Sequence, residues 1–198
     1  MSDAMETTLV APAITDPKSI EHRARDWWRV TISDADGDRG LRAQLRRCAT
    51  PLDAVGVPAA IGLARRLGRI PDAGAPAWKQ RECERALGLA IVLAHVRAES
   101  GMPLMRALGW NQFPYDKKES DASADRPSLS ELRFKRFLQT EGEDELIAAF
   151  VRLVKLAGNE TGVADLARVF LRWDDDRTKR DLALVYFRAN ARGLDAQS

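Results

Sequence analysis

The sequence predicts an all-α protein, a helical bundle of about eight to ten helices in two small lobes. Three observations lead there. Apolar residues recur at i, i+3 and i+4 along most of the chain, which is the period of a helix face. Proline, serine, threonine or aspartate stands ahead of many of these runs, where a helix start needs it. No stretch alternates with the period of two that a strand requires, and no solenoid repeat is present.

Residues 1–14 are small and polar and are expected to be a disordered N-terminus. Residues 15–109 form the N-terminal helical lobe. Asp16 and Pro17 supply a carboxylate cap and a proline at the first helical position. The helix they start runs through Trp27, Trp28 and Val30. Adjacent tryptophans sit about 100° apart on a helix, so both are read mainly as packing, with an interface open to one of them. After a turn at Asp34–Gly37, a helix from Arg39 to Cys48 sets Arg39, Arg42 and Arg46 on one ridge and Leu41, Leu45 and Cys48 on the other. Arg47 flanks the basic side. Within that helix no acidic residue lies at i±4 to pair with these arginines, so the ridge suits an anionic partner.

Thr50–Pro51 begins a short helix, and Val57–Pro58 begins another that ends at Gly68. The latter buries Leu63, Ala64 and Leu67 and shows Arg65, Arg66 and Arg69. A loop from Ile70 to Pro76 leads to the longest helix, Trp78 to Ala98, apolar round much of its cylinder and so central. His95 and Glu99 have the spacing of a metal pair but lack a third ligand, so a packed histidine is expected.

Residues 110–127 have the composition of a linker loop, with Lys117 and Lys118 in reach of a phosphate backbone. The C-terminal helical lobe, 128–192, opens with two tandem helices. Ser128 and Glu131 have capping-box spacing. Phe134, Phe137 and Leu138 form the first apolar stripe, with Arg133 and Arg136 beside it. Glu141, Glu143, Asp144 and Glu145 gather at the second start, as a helix dipole favours. Leu146, Ile147, Phe150, Val151 and Val154 face inward there, and Arg152 and Lys155 face away. Gly158 or Asn159 closes the helix. A helix from Val163 to Trp173 sets Arg168 and Arg172 opposite Leu166, Val169, Phe170 and Trp173. Asp174–Asp176 reads as the cap of the last helix rather than a metal site. That helix packs Leu182, Val185 and Tyr186 and finishes at Arg188 and Arg192.

The formal net charge is only +2, but its distribution is uneven: −4 over residues 1–38, +8 over 39–118 and −2 over 119–198. The cations of the middle third are mostly arginine, whose planar fork suits phosphate. Cys48 and Cys83 make neither a metal pattern nor a disulfide framework, and imply a reducing compartment. With no apolar signal core and no membrane-length apolar run, the expected location is the cytoplasm. There is no phosphate-binding glycine loop, no Cys/His metal spacing and no Gly-x-Ser-x-Gly elbow. His22 and His95 are the only histidines and neither has a triad context. No catalytic residues, metal, cofactor or small-molecule ligand are expected.

Three groups of residues resemble the small subunit of type I-E CRISPR Cascade, the CasB family. They are Glu131–Leu138 with Phe150–Leu156, Ala167–Trp173, and the Trp27–Trp28 pair followed by Leu41–Arg47. Their order and spacing carry the likeness over most of residues 20–190. The resemblance implies a non-catalytic, all-helical subunit. Its partners would be the backbone and large subunits, a second copy of itself, crRNA and target DNA, with the R-loop held open by basic surfaces. On that reading the nucleic-acid-binding residues are Arg42, Arg46 and Arg47 from the first lobe and Arg133, Arg136, Arg152 and Lys155 from the second. The alternative is a helical adaptor that docks protein partners without nucleic-acid contact.

Overall fold

The computed structural model describes residues 19–110 and 127–187. The expected disordered N-terminus, the Asp16–Pro17 start, most of the linker with Lys117 and Lys118, and the end of the last helix at Arg188 and Arg192 lie outside the described residues. In order, the elements are α1 (Ile20–Thr31), α2 (Arg39–Leu45), α3 (Pro51–Val55), α4 (Pro58–Arg66), α5 (Ala77–Ala94), β1 (Ala98–Glu99), α6 (Leu104–Leu108), α7 (Glu131–Leu138), α8 (Glu143–Leu156), β2 (Glu160–Thr161), α9 (Val163–Leu171) and α10 (Asp176–Tyr186). The fold is all-α, with ten helices among the described residues.

Local chemistry sets many of the ends. The Asp38 carboxylate accepts from the N–H groups of Gly40 and Leu41 and starts α2. Thr50 and Asp53 form a reciprocal capping box on α3, with Pro51 inside its first turn. Gly68 follows α4 at φ 69°, and Gly158 and Asn159 follow α8 at φ 75° and 65°, so both residues foreseen as closing that helix adopt the left-handed conformation. Asp175 caps α10, accepting from the Arg177 N–H at 2.9 Å.

Helix α5 is the axis. Every residue from Ala86 to Ala94 is buried, because α2, α3, α4, α8 and α9 all pack round it. Helices from both sides of residues 111–126 fill one hydrophobic cluster. Helix α1 lies between α4 and α9, which covers two of its faces and buries both Trp27 and Trp28 to 4% exposure. Phe137, Phe150, Phe170 and Trp173 interlock with ring centroids 4.6–5.5 Å apart.

Three expectations are corrected. The Ser128–Glu131 capping box does not form, and α7 starts at Glu131 behind Ser130. The backbone of Leu129 is committed elsewhere: its N–H donates to Leu108 O at 3.0 Å and its C=O accepts from the Tyr186 hydroxyl at 2.6 Å. Helix α5 stops at Ala94 rather than Ala98, because the chain turns into β1. That two-residue strand pairs in parallel with β2, which the period-of-two test is too coarse to see. Helix α2 ends at Leu45 rather than Cys48, where the Arg47 and Cys48 N–H groups tighten onto Gln44 O and Leu45 O.

Candidate nucleic-acid interface

Helix α7 turns Arg133 and Arg136 outward because Phe134 and Phe137 occupy its buried side. Phe134 stacks on Tyr186 with centroids 4.0 Å apart and planes 6° off parallel. Phe137 packs against Phe150 and Trp173. On α8, Phe150, Leu153 and Val154 go inward and leave Arg152 and Lys155 exposed, one turn apart. Arg133, Arg136 and Arg152 come together round one cavity of about 430 Å³ between α7 and α8. Its apolar wall includes Phe137, Leu153 and Leu156, and the described residues lining it contain no carboxylate. The Arg152 Nε donates to Ala148 O at 3.2 Å.

The N-terminal ridge divides. Arg39, Arg46 and Arg47 are exposed, but Arg42 is only 5% exposed. Helix α2 lies against the end of α5, which turns the middle of the ridge inward. There Arg42 donates to Ala94 O at 2.9 Å and Val96 O at 3.1 Å, and its Nη1 pairs with Asp34. It caps the carbonyls that α5 leaves open at its C-terminus. Arg42 is therefore an internal tie, not a free phosphate contact, and its partner Asp34 lies eight residues back, beyond the i±4 reach of a helix pair. Arg97, which the sequence reading passed over, joins Arg39, Arg42 and Arg46 round a second cavity of about 270 Å³. It stands alone before β1, and no local pattern marks it; only the turn after α5 brings it to α2.

His95 lies at the end of α5, against which α2 packs. It is 7% exposed, at the C-cap of α5, with Nδ1 buried and without a hydrogen-bond partner. Burial first, then the charges of Lys155, Arg46 and Arg42, bring its pKa down to about 4. Cations from α8 and from α2 are thus both close enough to act on one imidazole.

Elsewhere several arginines are paired. Arg25 meets Glu99 at 2.6 Å, Arg168 meets Asp165 at 2.6 Å and Arg172 meets Glu21 at 2.8 Å. Arg85 meets Glu143 at 2.8 Å and Asp174 at 3.3 Å. No carboxylate among the described residues pairs with Arg46, Arg47, Arg133, Arg136, Arg152 or Lys155. Asp174 and Asp175 are taken up by Arg85 and the α10 cap. Among the described residues no three His, Cys, Asp or Glu side chains gather as a metal site, and no helix is long and apolar enough to cross a membrane.

An all-helical domain built round one central helix, with surface cations that pair with no carboxylate among the described residues, defines the class. The family model for CRISPR-associated protein Cse2 matches residues 41–187, roughly three quarters of the chain. The chain belongs to this family, the small-subunit family of type I-E CRISPR Cascade. The match begins within α2 and takes in every later element, leaving out α1. No curated protein and no solved structure matches the chain.

Proposed function

We propose that this Cascade subunit is non-catalytic and binds nucleic acid without regard to sequence, helping to hold the crRNA–target DNA R-loop open. The observation that carries the reading is clustering: Arg133, Arg136 and Arg152 line one cavity, and Arg39, Arg46 and Arg97 line another. Arg25, Arg85, Arg168 and Arg172 are matched to carboxylates, whereas no carboxylate among the described residues pairs with Arg46, Arg47, Arg133, Arg136, Arg152 or Lys155. Exposed like charges gathered on rigid helices repel one another unless solvated or met by an anion. Guanidinium forks meet phosphate oxygens with good geometry and read no bases. Arg46 and Lys155, both acting on His95, are the proposed junction of one strip. The strip runs from α2 across the end of α5 to α8 and α7, with Arg39 and Arg97 added to it. R-loop formation exchanges one duplex for another of similar stability, so modest backbone contacts are enough to tip it.

The test is binding of single- and double-stranded DNA by the purified chain, with Arg46→Glu/Lys155→Glu beside wild type. Expected are micromolar dissociation constants that weaken steeply with salt, and a loss of about tenfold or more in the double variant with an unchanged melting temperature. Equal affinities for variant and wild type at low salt would remove the strip. No DNA binding at all would favour the adaptor that docks proteins.

A further inference from the structure

The cavity between α7 and α8 differs from the one beside Arg39, Arg46 and Arg97 in having a wall of large apolar side chains. Phosphate binding alone gives no reason for one. Arg133, Arg136 and Arg152 stand round it, while Phe137, Leu153 and Leu156 form its wall. Leu156 is 43% exposed, a large apolar side chain left open to solvent beside three cations. The volume, about 430 Å³, lies in the range of small-ligand pockets rather than of a shallow surface. An amphipathic partner helix would need a row of anchor sites along a groove, whereas this is a single recess. A phosphate chain alone would leave the apolar wall wet.

We propose that this recess receives one unstacked nucleotide of a single strand, its base against Phe137, Leu153 and Leu156 and its flanking phosphates on Arg133, Arg136 and Arg152. The inference rests on the nucleic-acid reading above and deepens it. It makes the α7–α8 part of the strip selective for single strands, since a duplex keeps its bases stacked and out of reach. The three guanidiniums hold the backbone on either side and also offer flat faces on which a base can stack. The apolar wall tells purine from pyrimidine poorly, so the site remains tolerant of sequence.

The test uses the full chain and three probes of equal length: a thymidine strand, a strand of the same phosphates with abasic sugars, and a duplex. Expected for wild type is about tenfold tighter binding of the thymidine strand than of the abasic strand. Leu156→Gln is expected to bring that ratio near one while leaving abasic affinity and its salt dependence unchanged. Arg133→Gln is expected to weaken all three probes and keep most of the ratio. Equal wild-type binding of thymidine and abasic strands, or a ratio untouched by Leu156→Gln, would overturn the base site and leave the phosphate strip standing. Failure of every probe to bind would remove both. Because Leu156 is half open to solvent, a matching melting temperature is expected and serves as the folding control.

Discussion

Arg42 on α2 and Arg46 just past its end are one turn apart and do opposite work. Replacing Arg42 with Ala leaves the Ala94 and Val96 carbonyls without donors at the end of a buried helix. The expected cost is about 3 kcal/mol, read as a melting temperature roughly 5–10 °C lower. Arg46→Ala is expected to leave stability within about 0.5 kcal/mol and to weaken DNA binding. His95 makes a separate prediction. Its folded pKa of about 4 lies below the ordinary 6.5, so the unfolded chain takes up the proton first. Its contribution to stability is therefore complete above pH 6.5 and is lost as the pH falls through the window down to about 4. The full loss amounts to about 3 kcal/mol. Urea unfolding at pH 7 and again near pH 4.5 is expected to show a smaller drop for His95→Asn than for wild type.

At the scale of elements, two contacts aim the helices that carry the cations. The first is the α5–α8 crossing at Gly88. A methyl group there would meet Ile147 Cδ1 at 2.9 Å and Cγ1 at 3.0 Å, with Glu143 Oε1 at 3.2 Å. Gly88→Ala gains helix propensity of about 1 kcal/mol but presses α8 outward, at a cost of about 1–3 kcal/mol. Net destabilisation is expected in chemical unfolding, eased in part by Ile147→Val. Arg85 braces the same crossing, holding Glu143, Asp174 and the Phe170 carbonyl at once. The second contact is the Tyr186 hydroxyl on Leu129 O, which fixes the entry to α7 from α10. Tyr186→Phe leaves that buried carbonyl without its donor and is expected to cost about 1–2 kcal/mol with the ring stack on Phe134 intact.

These ties mark what the sequence could and could not disclose. Apolar periodicity and caps are local, so α3, α4, α8 and α10 were legible at nearly their observed starts. Outward placement of Arg133, Arg136 and Arg152 followed from the Phe134–Phe137 and Phe150–Val154 spacings for the same reason, although the buried Leu153 was not foreseen. Arg42, Arg97 and Leu129 were misread or missed because their partners lie tens of residues away. A helical wheel shows which side a residue occupies, not whether a neighbouring helix end will cover that side.

For the whole molecule, the number of phosphates met at once sets the response to salt. The eight cations of the strip, all engaged on a single strand, correspond to a slope of about −6 in log affinity against log salt, and each contact removed lowers it by about 0.7. Arg133→Gln/Arg136→Gln is therefore expected to flatten the slope by roughly 1.4, measured by fluorescence anisotropy across a salt series. Helix α1 lies outside the family match yet packs on α9 and places Glu21 against Arg172 at 2.8 Å. The pairing of Ala98 with Glu160 and of Glu99 with Thr161 crosses the chain in the same way. Neither portion can complete its interior alone. Severed between residues 110 and 127, the two pieces are expected to aggregate when produced singly and to reconstitute a cooperative melt when produced together, as a split reporter does.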